Sequence, residues 1–199
     1  NVNESVLIPR FETEYLVDKT IKYLKQKNNK KLEVLEIGTG SGCISIALKK
    51  TILSDIVAID ISSRAIKVAK ENAKNNKVDI TFIEQDIHDF NINSKFDLII
   101  SNPPYVPFNF IVDEKIKYEP QNAIFAADDG IYFYRVILEK IKDNLNDEYL
   151  IAFEIGDKQG DKIKELAEKI LSNPYVKIEK DYNNFERYVF ITNKEEILF

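Results

Sequence analysis

An α/β fold built on a doubly wound, mostly parallel seven-stranded sheet is what this sequence predicts, on two observations. Short apolar runs recur along the chain as strands, and helix-period segments alternate with most of them. Strand, helix, strand implies parallel pairing with right-handed crossovers. The strands are expected at "LEVLEIG" (32–38), "DIVAIDIS" (55–62), "DITFIEQD" (79–86), "FDLIISN" (96–102), "EYLIAFEIG" (148–156), "VKIEKDY" (176–182) and "RYVFIT" (187–192). Helices, where apolar residues return every three or four positions, are expected at about 12–27, 43–52, 63–75, 131–146 and 158–172. Between the last two strands, "NNFE" (183–186) is only long enough for a hairpin-like loop, so one strand near the edge runs antiparallel. "KQKNNKK" (25–31) reads as a solvated polar connector.

At 199 residues, 44% hydrophobic and 31% charged, the chain has enough apolar material for one substantial core. Residues 1–31 are expected to form a lead-in with the first helix, and 32–199 the main domain. No apolar run approaches the roughly 18 residues of a membrane span. The N-terminus lacks a basic-then-apolar signal layout, so a cytoplasmic protein away from membranes is expected. With one cysteine, Cys43, and one histidine, His88, neither an internal disulfide nor a usual zinc site is expected, and no metal ligands are assigned. The net charge of −5 does not provide the overall basic footprint of nucleic-acid binders. There is no methionine at all, and the opening Asn1-Val2-Asn3-Glu4 reads like the interior of a longer chain.

Chemistry concentrates at strand ends. In "DLIISNPPYVPF" (97–108) an apolar run meets Asn102, two prolines and Tyr105. Pro103 and Pro104 remove two backbone donors and fix two φ angles, so pairing stops and the chain turns rigidly. In open α/β sheets ligands sit at the carboxyl ends of strands. A second cluster, "EIGTGSGCISIAL" (36–48), holds three of the six glycines, Gly38, Gly40 and Gly42, with Thr39 and Ser41 between them. Missing side chains there let a ligand approach backbone N–H groups and a helix N-terminus. The spacing is Gly-x-Gly-x-Gly, not the dinucleotide Gly-x-Gly-x-x-Gly, and no Gly-Lys-Ser/Thr follows to hold phosphate.

Asp60, closing the second strand before Ile61, stands where a carboxylate accepts from the two hydroxyls of a ribose. Asp86, closing the third, stands where one accepts from an adenine amino group, with Ile87 against the ring. Taken singly, the glycines fit a tight turn and the two aspartates fit helix N-caps or turn residues. In this order on successive strands they suit S-adenosylmethionine (SAM; product S-adenosylhomocysteine), a nucleoside carrying a methionine and no phosphate. Asn-Pro-Pro-Tyr then has a chemical use. An amide or arylamine nitrogen is a weak nucleophile because its lone pair is delocalised. The Asn102 side-chain oxygen and the Pro103 carbonyl can each accept one N–H, localising density on nitrogen and aiming it, while the prolines keep the carbonyls stiff. Tyr105 can stack on the planar group.

These residues resemble the Rossmann-like class I methyltransferases, and within them the HemK/PrmC protein-(glutamine-N5) methyltransferases that modify the Gly-Gly-Gln motif of peptide-chain release factors. The resemblance covers essentially the whole chain: "VLIPRFETEYLV" (6–17), "LEIGTGSGCISIAL" (35–48), "AIDIS" (58–62), "DLIISNPPYV" (97–106), "YEP" (118–120), "DGIYFYRVI" (129–137), "FEIGDKQG" (153–160) and "RYVF" (187–190). "NPPY" is shared with DNA adenine and some rRNA guanine enzymes; the "IPR..TE" and "YEP…DGIYFYR" motifs are more specific to the glutamine enzymes. The resemblance implies that Gly38 to Gly42, Asp60, Ile61, Asp86, Ile87 and Asn102 hold SAM. It implies that Asn102, Pro103, Pro104 and Tyr105 hold the glutamine, and that Arg10 and Glu119 order the site entrance or the substrate backbone. For Arg10 the alternative is a surface ion pair. Phe11 stands where the family usually has a second proline, and Glu186 precedes Arg187 where aspartate is common. The family's upstream helical docking domain is expected to be absent from this chain.

A release factor is therefore the expected partner, with nucleic acid not expected as direct substrate and no more than a monomer required. The alternatives are a nucleic-acid amino methyltransferase using the same clamp, a SAM-binding module without turnover, and a nicotinamide oxidoreductase. The glycine spacing speaks against the last, and a rigid amide clamp has no purpose in a silent module. His88 is expected as an exposed loop histidine and Cys43 as a small buried residue; periodicity leaves open which of Tyr132 and Tyr134 faces the cleft.

Overall fold

The computed structural model describes residues 1–25, 30–110 and 119–198. Seven strands form one sheet: β1 (Leu32–Ile37), β2 (Ser54–Asp60), β3 (Thr81–Glu84), β4 (Phe96–Ser101), β5 (Leu145–Glu154), β6 (Tyr175–Lys180) and β7 (Glu186–Thr192), in the order β3-β2-β1-β4-β5-β7-β6. Only β7 runs against the rest, pairing antiparallel with both β5 and β6. The predicted doubly wound sheet with one antiparallel strand near its edge is what the chain forms. The polar connector 25–31 falls mostly outside the described residues, as does Tyr118 of "YEP".

The central strands are mostly apolar because both faces are covered. β4 is buried at every position. Its alternate residues enter different cores: Leu98 and Ile100 pack with Leu16, Ile21 and Leu48, while Ile99 packs with Ile137, Ile141 and Ile163. The first set lies under α1 (Phe11–Leu24) and α2 (Cys43–Thr51). The second lies under α4 (Tyr132–Ile141) and α5 (Gly160–Ile170). On the flank of β2, α3 (Ser63–Asn76) is capped by the Ser62 hydroxyl, which accepts from Ala65 N at 3.2 Å. Among the described residues no helix is long and apolar enough to cross a membrane.

Boundaries differ from the sequence reading at one place that matters. α4 stops at Ile141, and β5 begins at Leu145, three residues before the expected start, with Leu145 beside Phe96. The Asn144 side chain donates to the carbonyls of Ile92 and Ser94 at 2.7 and 2.8 Å, which ends the helix by tying its exit to the loop before β4. A two-residue parallel ladder, Val106–Pro107 with Phe125–Ala126, was not expected; it fastens the chain leaving Tyr105 to the segment before α4.

Strand order reverses between β1 and β4, the place where α/β sheets open a crevice. Ile37 lies beside Ser101 in the register, and the Ser101 hydroxyl donates to the Ile37 carbonyl at 2.7 Å. The two loops singled out from the sequence therefore leave the sheet side by side.

Candidate active site

A cleft of about 420 Å³ opens between those loops, and the ends of β2 and β3 complete its wall. Its floor is the glycine loop. At Gly38 and Gly40 an added Cβ would meet nothing within 4 Å, so the space a side chain would occupy belongs to the cleft. The amides of Gly38 and Thr39 both donate to the Ile59 carbonyl, at 2.9 and 3.0 Å, which ties the loop to β2. Beneath it Glu36 is fully buried, accepting from the Thr39 hydroxyl at 2.8 Å, the Ser45 amide at 3.2 Å and the Ser45 hydroxyl. Burial pushes its carboxyl up to about 7 against those hydrogen bonds, and its Oε1 has no hydrogen-bond partner among the described residues.

The acidic wall is built from two strand ends. Asp60 accepts from Gly40 N and from Ser62 N, each at 2.9 Å, one amide on each oxygen. Burial raises its pKa against those two amides. Each oxygen keeps a further lone pair for a ligand hydroxyl. Asp86 caps the 3₁₀ turn Ile87–Asp89 by accepting from His88 N at 2.9 Å. Its Oδ1 also lies 2.6 Å from His88 Nδ1, while His88 Nε2 lies 2.8 Å from the Tyr132 hydroxyl. Burial opposes the charge on Asp86, and the His88 amide and ring outweigh it, leaving the carboxyl below its ordinary range. His88 is thus a bridge at the cleft wall.

This lining fits SAM. Glu4, Asp60 and Asp86 supply acceptors, Arg64 is the sole lysine or arginine among the described lining residues, and Ile37, Ile59 and Ile87 supply apolar surface. Such a set suits hydroxyls, an amine and a flat base, and gives no cradle for phosphate. Cys43 opens α2 at the cleft, where burial pushes its thiol up to about 11, so it is no ready nucleophile.

The Asn-Pro-Pro-Tyr turn is held from behind. The Asn102 amide donates from Nδ2 to the Thr13 hydroxyl at 3.1 Å. Thr13 donates in turn to Glu154 Oε2 at 2.7 Å, and the Tyr105 hydroxyl donates to Glu154 Oε1 at 3.2 Å. Glu154 is fully buried, and burial pushes its carboxyl up to about 7 against the Thr13 hydrogen bond and the charge of Arg187. The Tyr105 carbonyl accepts from Gln159 Nε2 at 2.9 Å. A Cβ on Gly130 would stand 2.1 Å from that same carbonyl oxygen, so only glycine lets the 3₁₀ turn Asp128–Gly130 pass it. The "DGIYFYR" and "FEIGDKQG" motifs thus meet behind the turn.

A methyltransferase-domain family model matches residues 28–188. A release factor glutamine methyltransferase of Flavobacterium psychrophilum is 46% identical over 175 residues, covering 84% of this chain and 61% of the relative. One of Bacillus anthracis is 38% identical over 200 residues, covering 95% of this chain and 69% of its own length. The chain belongs to the release factor glutamine methyltransferase family. Its fold is also that of the solved protein-(glutamine-N5) methyltransferase of Alicyclobacillus acidocaldarius, with a TM-score of 0.58 at 24% identity over 94% of each chain. The chain spans about two thirds of the length of these curated relatives.

In this release factor glutamine methyltransferase relative, the residues expected from sequence fall into three groups. Gly38, Thr39, Gly40, Ser41, Asp60, Ile61, Asp86, Ile87, Asn102, Pro103 and Pro104 line one cleft. Gly42 and Tyr105 do not. Gly42 sits at φ +79°, and its missing Cβ admits Ala69 of α3, which an added Cβ would meet at 3.1 Å. Tyr105 packs against the core under α4. Arg10 and Glu119 form the third group, paired with each other at the rim. Glu119 also accepts from Ile8 N at 3.0 Å, stitching the lead-in to the segment after the Asn-Pro-Pro-Tyr turn.

Sequence reasoning passed over Thr13, Glu36, Glu154 and Gln159. A signal existed for two of them: "LEIG" (35–38) and "FEIG" (153–156) each set a glutamate among apolar strand residues, where a charge is costly unless hydrogen-bonded. Of the two tyrosines left open, Tyr134 is in the core, its hydroxyl donating to the Glu154 carbonyl at 2.8 Å, and Tyr132 reaches His88.

Proposed function

We propose that this chain, in the cytoplasm, transfers the methyl group of SAM to the side-chain amide nitrogen (N5) of the glutamine in the Gly-Gly-Gln motif of a peptide-chain release factor. The observation that carries this reading is the rigid Asn-Pro-Pro-Tyr turn leaving β4 directly beside the glycine loop that leaves β1. The names of the relatives support the choice of substrate.

SAM supplies an electrophilic sulfonium methyl. The protein's part is binding and aim. Gly38 to Ser41 leave room for the amino-acid end, Asp60 accepts from the ribose hydroxyls, and Asp86 with Ile61 and Ile87 receives the adenine. Gly42 contributes by seating α2 against α3. Asn102 Oδ1 and the Pro103 carbonyl each accept one N–H of the glutamine amide, which fixes the nitrogen and raises its electron density. Pro104 and Tyr105 keep that geometry stiff. No strong general base is needed, because the amide proton becomes acidic only as the methyl arrives. Arg10 and Glu119 order the entrance. Within the lead-in, residues between Glu4 and Thr13 line one side of the cleft, and the domain of residues 32–199 is assigned the transfer.

The test is transfer of labelled methyl to release factor, to the same factor with its Gly-Gly-Gln glutamine replaced, and to tRNA, rRNA and DNA. Label on the unaltered factor alone, lowered by Asn102→Ala about 10²- to 10³-fold, supports the proposal; the scale is that for losing one preorganised hydrogen-bonding group. Label on nucleic acid with the factor silent overturns the substrate.

A further inference from the structure

An asparagine amide has two ends of nearly equal shape and opposite chemistry. Only the oxygen accepts the N–H of a substrate amide. Which end faces the cleft is decided by the hydrogen-bond network around it. Here the network runs from one buried carboxylate. Above the value of about 7 to which burial pushes its carboxyl, Glu154 is mostly ionised and has no proton to give, so the Thr13 hydroxyl at 2.7 Å spends its single hydrogen on Oε2. Thr13 Oγ1 then presents only lone pairs to Asn102, and the group it pairs with at 3.1 Å is the Nδ2 donor. Turned the other way, Asn102 Oδ1 would oppose the lone pairs of Thr13. Glu154 Oε1 meanwhile takes the Tyr105 hydroxyl at 3.2 Å, so the same carboxylate grips the far end of the turn. Thr13 comes from α1, Glu154 from the end of β5 and Asn102 from the end of β4, and Thr13 itself lines the cleft.

We propose that Thr13 and Glu154 are positioning residues: through Thr13, Glu154 dictates that Asn102 turns its oxygen to the substrate amide. The inference rests on the methyl transfer proposed above, and its consequence is specific. Losing the Thr13 hydroxyl leaves the cleft intact and the Asn102 amide free to turn, so part of the population shows the substrate a donor where an acceptor is needed.

The experiment compares wild type with Thr13→Val, which keeps the shape and removes the hydroxyl, and Thr13→Ser, which restores it. Three quantities are measured at pH 8: SAM affinity, single-turnover methyl transfer at saturating SAM, and hydrogen exchange of the Asn102 side-chain amide by NMR on asparagine-labelled protein, assigned with Asn102→Ala. Thr13→Val is expected to keep SAM affinity within about twofold and to lower transfer about 10- to 100-fold, the range for a misaimed reacting group. Its Asn102 amide exchanges faster, and Thr13→Ser recovers both. Transfer and exchange equal to wild type in a folded Thr13→Val overturn the inference. Should wild type leave every release factor unlabelled, the proposed function fails, while the exchange measurement still decides the Thr13–Asn102 link. If Thr13→Val does not fold, an Asn102 amide that exchanges in wild type as fast as a free asparagine overturns the inference by itself.

Discussion

The tripeptide Glu-Ile-Gly closes two strands of this sheet, at 36–38 on β1 and 154–156 on β5, and the two glutamates do different work from matching surroundings. Both are fully buried, and burial pushes both carboxyls up to about 7. Glu36 binds near neighbours only: Thr39 and Ser45, within nine residues. Glu154 binds Thr13 and Tyr105, from opposite parts of the chain. One is a local brace that sets the shape of a loop and the start of a helix. The other is a junction that exists only once α1, β4 and β5 have assembled. A buried carboxylate beside a site is therefore not one kind of device, and its partners' distance along the chain says which kind it is.

The largest effects separate the two. Glu154→Ala leaves two buried hydroxyls without their acceptor and frees the Thr13 hydroxyl behind Asn102 to turn, so methyl transfer at saturating SAM is expected to fall about 100-fold or more, with SAM affinity nearly unchanged. Glu36→Ala loosens the glycine loop, so SAM affinity is expected to weaken about tenfold while transfer at saturation stays within about twofold. Calorimetric SAM titration and single-turnover transfer read the two quantities independently. If both variants lose the same quantity, the contrast between brace and junction is wrong.

A smaller effect tests what the two share. A carboxyl of ordinary pKa 4.5 that folds at about 7 binds more protons in the native state than in the unfolded one between those values. Stability is then fully present below about pH 4.5, falls as pH rises through 7, and levels off above it. Each glutamate contributes on the order of 1–3 kcal/mol to that fall. Asp86, Asp181 and Glu179 have lowered pKa values, so their contribution works in the opposite window and is lost as pH drops below about 4. Urea midpoints from pH 5 to 8 should decline for wild type and decline less for Glu36→Gln and Glu154→Gln. A flat wild-type profile would mean that neither glutamate is held near 7.

The same contrast explains how much was legible in the sequence. The seven strands showed because each central strand is apolar on both faces, and the cleft showed because Gly38, Gly40, Asp60, Asp86 and Asn102 sit at successive strand ends. All of that is local pattern. Gly42 looked like a ligand glycine because its spacing continues the motif, yet its missing Cβ serves Ala69 of α3. Tyr105 looked like a stacking platform, and its hydroxyl instead reaches Glu154. His88 is two-fifths exposed in a turn, as a loop histidine would be, and only its link to Tyr132, 44 residues further on, was not legible. Thr13 showed only as one letter of the "IPR..TE" motif, since a threonine in the first turn of a helix has no visible role until Glu154 and Asn102 are folded onto it.

Arg10 and Glu119 give the mildest way to sharpen the comparison, because theirs is another long-range junction, but at the rim. Glu119 is nearly buried and Arg10 is about two-fifths exposed, with side-chain accessibilities of 8% and 39%. Solvent screens such a pair, so Arg10→Ala is expected to cost no more than about 1 kcal/mol of stability. Glu119 keeps the Ile8 amide in that variant, so the lead-in stays attached to the cleft. The expected functional change is a two- to fivefold rise in KM for the release factor with kcat unchanged, since the role proposed for the pair is at the entrance and Arg10→Ala keeps the backbone carbonyl that accepts from the Thr13 amide at 3.1 Å. A fall in kcat of the size predicted for Glu154→Ala would show that the rim pair reaches the reacting amide, and that exposure along with chain separation decides how strongly a junction acts.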